Sequence, residues 1–102
     1  SRTIDPGVHF GFYYMSFRNR QINARFRRMF EKFRQYLREQ LAYFNGRSII
    51  EVKDVKQAAD IIITLMEGME FHAQFLADGQ PFDVHAQASK RAALVVLKSG
   101  AV

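Results

Sequence analysis

The residues that could perform acid–base or metal chemistry in this chain of 102 amino acids are three histidines and two neighbouring glutamates. His72 stands two positions from Glu70, which puts them on different sides of a helix, while His9 and His85 have no second ligand at helical spacing. The sequence contains no Glu-x-x-His pair, glycine-rich phosphate loop, nucleophile elbow or pair of catalytic carboxylates. We therefore predict a protein that is not an enzyme and uses no metal or cofactor.

Glu67 and Glu70 are the polar residues best placed for a buried role, because they lie three positions apart in a segment that is otherwise mostly apolar. They would pair with a cationic ligand or with arginines of the same chain. In the simpler alternative, one of them faces solvent at the edge of an interface. The sequence leaves both interpretations open.

Basic residues concentrate between positions 18 and 38, where eight Lys and Arg residues are opposed only by Glu31. Arg20, Arg27 and Arg34 repeat every seven positions, with Arg38 beside them, so they share one face of a helix. Such a face is what phosphate contacts require. A solvated charged face is the simpler interpretation, because no aromatic residues interleave with these arginines and no DNA-reading motif is present.

The first helix is predicted over residues 6–18, because Asp5 supplies an N-cap carboxylate and Pro6 suits the first helical position. Its aromatic residues recur three or four positions apart, which places most of them on one stripe. This stripe would line a ligand pocket, with tyrosine hydroxyls as polar handles, or would pack as ordinary core. Its members are Phe10, Tyr13, Tyr14 and Phe17.

A second helix is predicted over residues 22–44, after a break in the pattern at Asn19. Its apolar residues follow the helical period closely, so it is strongly amphipathic. Asn45 and Gly46 would end it as a left-handed C-cap. The connector that follows, residues 47–53, has strand-like composition but no partner strand, so we predict a loop.

The third helix is predicted over residues 55–77, with Asp54 as its N-cap and Asp78-Gly79 as its end. The fourth is predicted over residues 84–98, with Asp83 as its N-cap. Ser99-Gly100 is expected to end the ordered chain. A stripe of small residues along the fourth helix would allow close approach of another helix: Val84, Ala88, Ala92, Val95 and Val96.

Composition indicates one domain with a real core, since 48% of the residues are apolar and 14% are aromatic. The absence of cysteine excludes disulfides and weakly favours an intracellular protein. No signal peptide or convincing membrane span is visible in the sequence. The chain begins like the middle of a longer protein, so we expect it to be a fragment.

The segment from Ala58 to Leu76 is apolar on nearly every side and has Gly68 at its centre. A helix with so little polar surface must be covered from several directions. A glycine inside a helix costs about 1 kcal/mol relative to alanine, so it usually reflects close packing by a neighbour. Because the chain is short, we expect a second copy to cover part of this helix.

The order of these parts resembles the C-terminal half of TetR-family transcriptional repressors. The likeness rests on Ala58-Ala59, the aliphatic run from Ile61 to Met66, and Glu67-Gly68-Met69, followed by a short connector and an alanine-rich last helix. It is closest to the choline-responsive subgroup, which usually has Asp and Leu where this chain has Glu and Met. It covers roughly residues 8–97.

The resemblance implies an all-α, antiparallel bundle of about four helices that serves as a ligand-binding and dimerisation domain over residues 1–102. The last two helices of each protomer would form an intermolecular four-helix bundle. DNA would be contacted only through an N-terminal helix-turn-helix domain that this chain lacks, in a regulator of the bacterial cytoplasm. A small effector would control DNA binding, and no membrane contact is implied.

Two sets of site residues follow from this reading. The dimer interface is predicted at Gly68, Phe71, Phe75, Ala88, Ala92, Val95 and Val96. The effector pocket is predicted at Phe10, Tyr13, Tyr14, Phe17, Phe33, Met66 and Glu70. The alternative function is a stand-alone helical module that binds an acidic partner or RNA through its arginine-rich helix.

Overall fold

The computed structural model describes residues 6–76 and 82–102, and within them the side chains of residues 10–76 and 83–102. The described residues form four helices and no strand: α1 (Pro6–Ser16), α2 (Arg20–Gly46), α3 (Val55–Phe75) and α4 (Phe82–Lys98). The prediction of an all-α fold with four helices is confirmed. The predicted signals at Asp5 and Asp78-Gly79 lie outside the described residues.

The chain divides into two compact units, which are described separately. The N-terminal unit is Ser1–Phe33, and the C-terminal unit is Arg34–Val102. The first contains α1 and the beginning of α2. The second contains the rest of α2 together with α3 and α4.

In the N-terminal unit, Asn19 is the N-cap of α2 rather than a simple break in the pattern. Its side-chain oxygen accepts hydrogen bonds from the backbone N–H groups of Gln21 at 2.9 Å and Ile22 at 3.1 Å. These N–H groups have no partner within the helix, so the cap stabilises its first turn. The helix therefore starts at Arg20, two residues before the predicted start.

The predicted left-handed C-cap at Asn45 and Gly46 is wrong. Gly46 is still part of α2, and the left-handed residue is Ser48, with φ of 60°. Asn45 holds the connector instead: its amide nitrogen donates to the carbonyl oxygen of Val52, and its amide oxygen accepts from the Val52 N–H, both at 2.9 Å. The Asn45 side chain thus makes the two backbone hydrogen bonds that a partner strand would otherwise make to the connector.

The N-cap of α3 was predicted correctly, whereas that of α4 was not. Asp54 has extended backbone geometry and accepts from the Gln57 N–H at 3.1 Å. In α4 the helix already begins at Phe82, so Asp83 lies in the first turn. A carboxylate there still interacts favourably with the positive end of the helix dipole.

The three helical segments of the C-terminal unit run antiparallel to their neighbours. Residues early and late in this part of α2, Arg34 and Asn45, bond to Asp60 and Val52 respectively, so α2 and α3 point in opposite directions. Their core consists of small and aliphatic side chains: Leu41, Ile50, Val52, Ala58, Ala59 and Leu97, with Leu37, Val55, Ile62 and Val102 packed against it.

The last residues of the chain belong to this core, so the expectation that order ends at Ser99-Gly100 is wrong. The Glu51 N–H donates to the carbonyl oxygen of Leu97 at 2.9 Å, and the Lys53 N–H donates to that of Val102 at 2.6 Å. Gly100 has φ of 74°, which lets the chain turn back after α4. A Cβ on Gly100 would also collide with the Glu51 carboxylate.

We predict that Asn45→Ala lowers the free energy of unfolding by about 2 kcal/mol, because both backbone groups of the buried Val52 lose their partner. Urea denaturation at fixed protein concentration measures the effect. Gln57→Ala, which removes an exposed amide from α3, is the control and should change stability by a few tenths of a kcal/mol. Equal effects of the two changes would contradict the role assigned to Asn45.

Candidate dimerisation and ligand-binding surfaces

Three of the predicted interface residues form an exposed stripe on α3. Gly68, Phe71 and Phe75 follow one another at spacings of three and four, so they share a face. Phe71 is 52% exposed and Phe75 is 62% exposed, although their rings pack against each other with centroids 5.0 Å apart. Both rings offer apolar surface that the described residues leave uncovered.

Gly68 lies open on this stripe. A Cβ placed on it would meet no atom within 4 Å outside its own helix and immediate neighbours. Close packing against Gly68 therefore does not come from the described part of this chain. The described residues therefore give no packing reason for the glycine at the centre of α3.

The predicted residues of α4 form a second exposed stripe. Ala88, Ala92 and Val95 share a face, and Val95 is 68% exposed. Val84 extends the stripe by one turn towards the start of the helix and is also exposed. Val96 differs from the others because it is half-buried.

The two stripes lie on the same side of the α3–α4 hairpin. The imidazole rings of His72 on α3 and His85 on α4 stack with centroids 4.1 Å apart, so they mark the facing sides of the two helices. Successive residues of a helix are rotated by about 100° around its axis. Counted from His72 on α3 and from His85 on α4, the two stripes are displaced around their helix axes in the same rotational sense. In antiparallel helices the same sense leads to the same side, so the stripes form one surface.

The stacked histidines were missed in the sequence, where His72 and His85 had no ligand or partner within a single helix. Their interplanar angle is 17°, so the rings lie nearly parallel. Parallel stacked rings cannot direct both ring nitrogens at one metal ion. The pair therefore joins the end of α3 to the start of α4 and is not a chelating site.

The aromatic residues of the N-terminal unit form a cluster centred on Tyr13. Its ring lies 6.2 Å from that of Phe10, 5.7 Å from that of Phe26 and 6.2 Å from that of Phe30. Edge-to-face and tilted arrangements of this kind are the ones that aromatic quadrupoles favour. Phe26 and Phe30 belong to the apolar face of α2 and were not among the predicted pocket residues.

The remaining predicted pocket residues lie outside this cluster or in the other unit. Tyr14 and Phe17 are largely exposed, and Phe17 is 83% exposed. Phe33 is at the border of exposure at the end of the N-terminal unit. Met66 and Glu70 lie on α3 in the C-terminal unit, where Met66 is exposed and Glu70 is half-buried.

The arginine face of α2 is not uniformly solvated, which corrects the simpler interpretation of its charges. Arg34 forms a two-point ion pair with Asp60 of α3: Nε lies 2.8 Å from Oδ1, and Nη2 lies 3.0 Å from Oδ2. Both side chains are only partly buried, with exposures of 35% and 39%. The Nε atom of Arg38 is buried without a hydrogen-bond partner among the described residues.

The ion pair changes the titration of its carboxylate. The hydrogen bond from Arg34 lowers the pKa of Asp60 below its usual value, and the positive charges of Arg34 and Arg38 act in the same direction. Desolvation of the carboxylate opposes them and is outweighed. Two guanidinium groups of α2 thus hold one carboxylate of α3 in its charged form.

The described residues offer neither a metal site nor a membrane-spanning helix. No group of three or more His, Cys, Asp or Glu side chains there could hold a metal ion. No helix within residues 6–76 and 82–102 is long and apolar enough to cross a membrane.

Comparison with known proteins gives one family. Residues 1–99 match the family described as "Tetracyclin repressor-like, C-terminal domain". The match covers nearly the whole chain and agrees with its all-α architecture. No curated protein and no solved structure is significantly similar to the chain.

We predict that Asp60→Asn lowers the thermal midpoint at neutral pH and that its effect fades in acid. Because the pKa of Asp60 is lowered in the folded state, the pair's contribution is present above about pH 4 and is lost as pH falls through the lowered value. Thermal unfolding of both proteins between pH 2 and pH 8 measures the difference. Glu39→Gln, an exposed carboxylate change on α2, is the control. A difference in thermal midpoint between Asp60→Asn and the unchanged protein that is the same at every pH would contradict the prediction.

Proposed function

The chain belongs to the tetracycline repressor-like C-terminal domain family, and on that premise we propose that it is the dimerisation and effector-sensing domain of a TetR-type transcriptional repressor. In this proposal a separate domain binds the operator. The domain described here pairs two copies and responds to a small molecule. The strongest support from the geometry is the apolar surface shared by α3 and α4.

The proposed dimer places this surface against the same surface of a second copy. A two-fold axis makes one patch complementary to itself, so a single stripe is sufficient for a closed dimer. The small side chains Gly68, Ala88 and Ala92 would let the helices approach closely, while Phe71 and Phe75 would supply apolar area. A stable interface of ordinary size buries about 800 Å² on each partner. Two helices of 21 and 17 residues are long enough to provide it.

The effector would act by stabilising one of two arrangements of the dimer. A ligand shifts such an equilibrium only as far as its affinities for the two states differ. If the state it favours holds the operator-binding domains at the wrong separation, operator binding weakens. Half-sites on DNA lie about 34–36 Å apart for domains of the helix-turn-helix type, so a modest change in spacing is sufficient.

For the ligand we propose a cationic or apolar molecule that contacts the aromatic cluster of the N-terminal unit. Ring faces attract quaternary ammonium groups, and Tyr13 with its neighbours Phe10, Phe26 and Phe30 offers four rings. The resemblance to choline-responsive repressors points to the same class. The effector-binding roles of Tyr14, Phe17, Phe33, Met66 and Glu70 stay predictions from the sequence.

We predict that the chain is a dimer in solution and that Ala92→Asp makes it a monomer. The new carboxylate would be buried without a partner at the centre of the interface, which costs several kcal/mol in each protomer. Light scattering after size exclusion gives the absolute mass. Gln87→Asp is the control, because Gln87 is exposed on α4 outside the stripe. A folded monomer of the unchanged chain would overturn the proposed interface.

We predict that choline at about one hundred times its dissociation constant raises the thermal midpoint by on the order of 10 °C. Tyr13→Leu should abolish this shift, because it removes the central ring, whereas Tyr13→Phe should retain it. Tyr43→Leu, an exposed ring of the C-terminal unit, is the control. A choline-dependent shift that survives Tyr13→Leu would place the ligand elsewhere. The absence of any shift would reject this class of effector.

A further inference from the structure

The formal net charge of the chain lies entirely in its N-terminal unit. Residues 1–33 contain seven Lys and Arg residues and two Asp and Glu residues, whereas residues 34–102 contain eight of each kind. The whole charge of +5 is therefore carried by a third of the sequence. In the C-terminal unit, by contrast, Arg34 of the same helix binds Asp60 directly, and the charge of Arg38 also acts on that carboxylate.

Six basic side chains of the N-terminal unit are exposed: Arg18, Arg20, Arg25, Arg27, Arg28 and Lys32. We call them the basic surface. The part of it on α2 extends over about 18 Å of helix axis, from Arg20 to Lys32. Duplex DNA carries one phosphate for about every 1.7 Å of its own axis when both strands are counted, so a stretch of this length carries about ten phosphates, of which one side presents only a part to the protein.

An open groove lies within the basic surface. Its lining includes three guanidinium groups, those of Arg18, Arg20 and Arg27, and the polar side chains of Ser16 and Asn23. Arg27 donates through Nε to the amide oxygen of Asn23 at 2.7 Å, which fixes its stem and uses only one of its donors. Arginine binds phosphate oxygens with two parallel hydrogen bonds, so this lining suits a phosphodiester.

Phe17, which precedes α2, is also part of the groove lining, so one aromatic ring lies beside the arginines although none interleaves with them along α2. Single-stranded nucleic acid requires several free ring faces on which successive bases stack. One face of the neighbouring Tyr14 ring is occupied by Arg18, whose guanidinium carbon lies 5.2 Å from the ring centroid. One ring is too few for a stacking platform, so the groove favours a backbone whose bases are already paired.

We propose that the basic surface binds the phosphate backbone of duplex DNA without reading its sequence. The inference rests on the proposed function, because a sensor tethered to an operator-binding domain is held close to duplex DNA. The contacts would add affinity for DNA of any sequence, and they would increase the time that the regulator spends on it. This revises the expectation that DNA is contacted only through a separate domain.

The test measures binding of the whole 102-residue chain to a fluorescein-labelled 30-base-pair duplex of arbitrary sequence, by anisotropy between 50 and 300 mM NaCl. We expect the logarithm of the binding constant to fall linearly with the logarithm of the salt concentration. Arg20→Gln/Arg27→Gln should weaken binding at 50 mM NaCl at least tenfold and reduce the salt slope by about two, because each lost phosphate contact contributes about 0.9 to the slope. Arg47→Gln/Lys56→Gln removes the same charge from exposed residues of the C-terminal unit and should leave both values nearly unchanged.

Four outcomes would overturn the inference. They are the absence of binding at 50 mM NaCl, equal losses in the two double variants, tighter binding to a single strand of the same length, and tighter binding to vesicles of anionic lipid. The light-scattering mass separates this test from that of the proposed function. A dimer that ignores DNA rejects the basic surface alone, whereas a monomer that binds the duplex rejects the proposed interface alone.

Discussion

The large apolar surface that α3 leaves exposed among the described residues is the constraint on which the main features of the C-terminal unit depend. Its fully buried core contains only small and aliphatic residues, and Ala58 and Ala59 are its most deeply buried members. The large apolar side chains Leu65, Met66, Phe71 and Phe75 are exposed on the same helix. Surface of this kind is rarely left open over a large contiguous area in a stable monomer. In the proposed dimer, a second copy would cover part of this surface.

Polar contacts, rather than a large core, determine how the helices of this unit are aligned. Asn45 binds both backbone groups of Val52, and Arg34 binds Asp60 at two points. Each pair links α2 to a segment that follows it, and each is directional, so the pairs restrict sliding between the elements. Hydrophobic burial has no such directionality. A few well-placed hydrogen bonds can thus specify an arrangement whose apolar contacts alone would allow several.

Much of the fold could be predicted from local sequence, because helical period and capping chemistry act over three or four residues. Asp54 was recognised as a cap in this way, and the exposed stripe of α4 matched its predicted members apart from the half-buried Val96. The errors came from longer-range effects. Asn45 appeared to be a helix terminator because its partner Val52 lies seven residues away, and Arg34 appeared to be solvated because Asp60 lies 26 residues away. The predicted pocket residues belong to both units. Helical period and capping act within one helix, so they do not show whether such residues lie together.

The exposed surface of α3 and α4 also has a consequence for the life of the protein in a cell. If the proposed dimer is formed, a newly made chain displays Phe71, Phe75 and Val95 until it meets a second copy. Chaperones and proteases act on unassembled or partly unfolded chains, so such chains are removed faster than assembled ones. Assembly depends on concentration by mass action. A cell with few copies would therefore lose them disproportionately fast, and the abundance of the protein would respond more than linearly to its rate of synthesis.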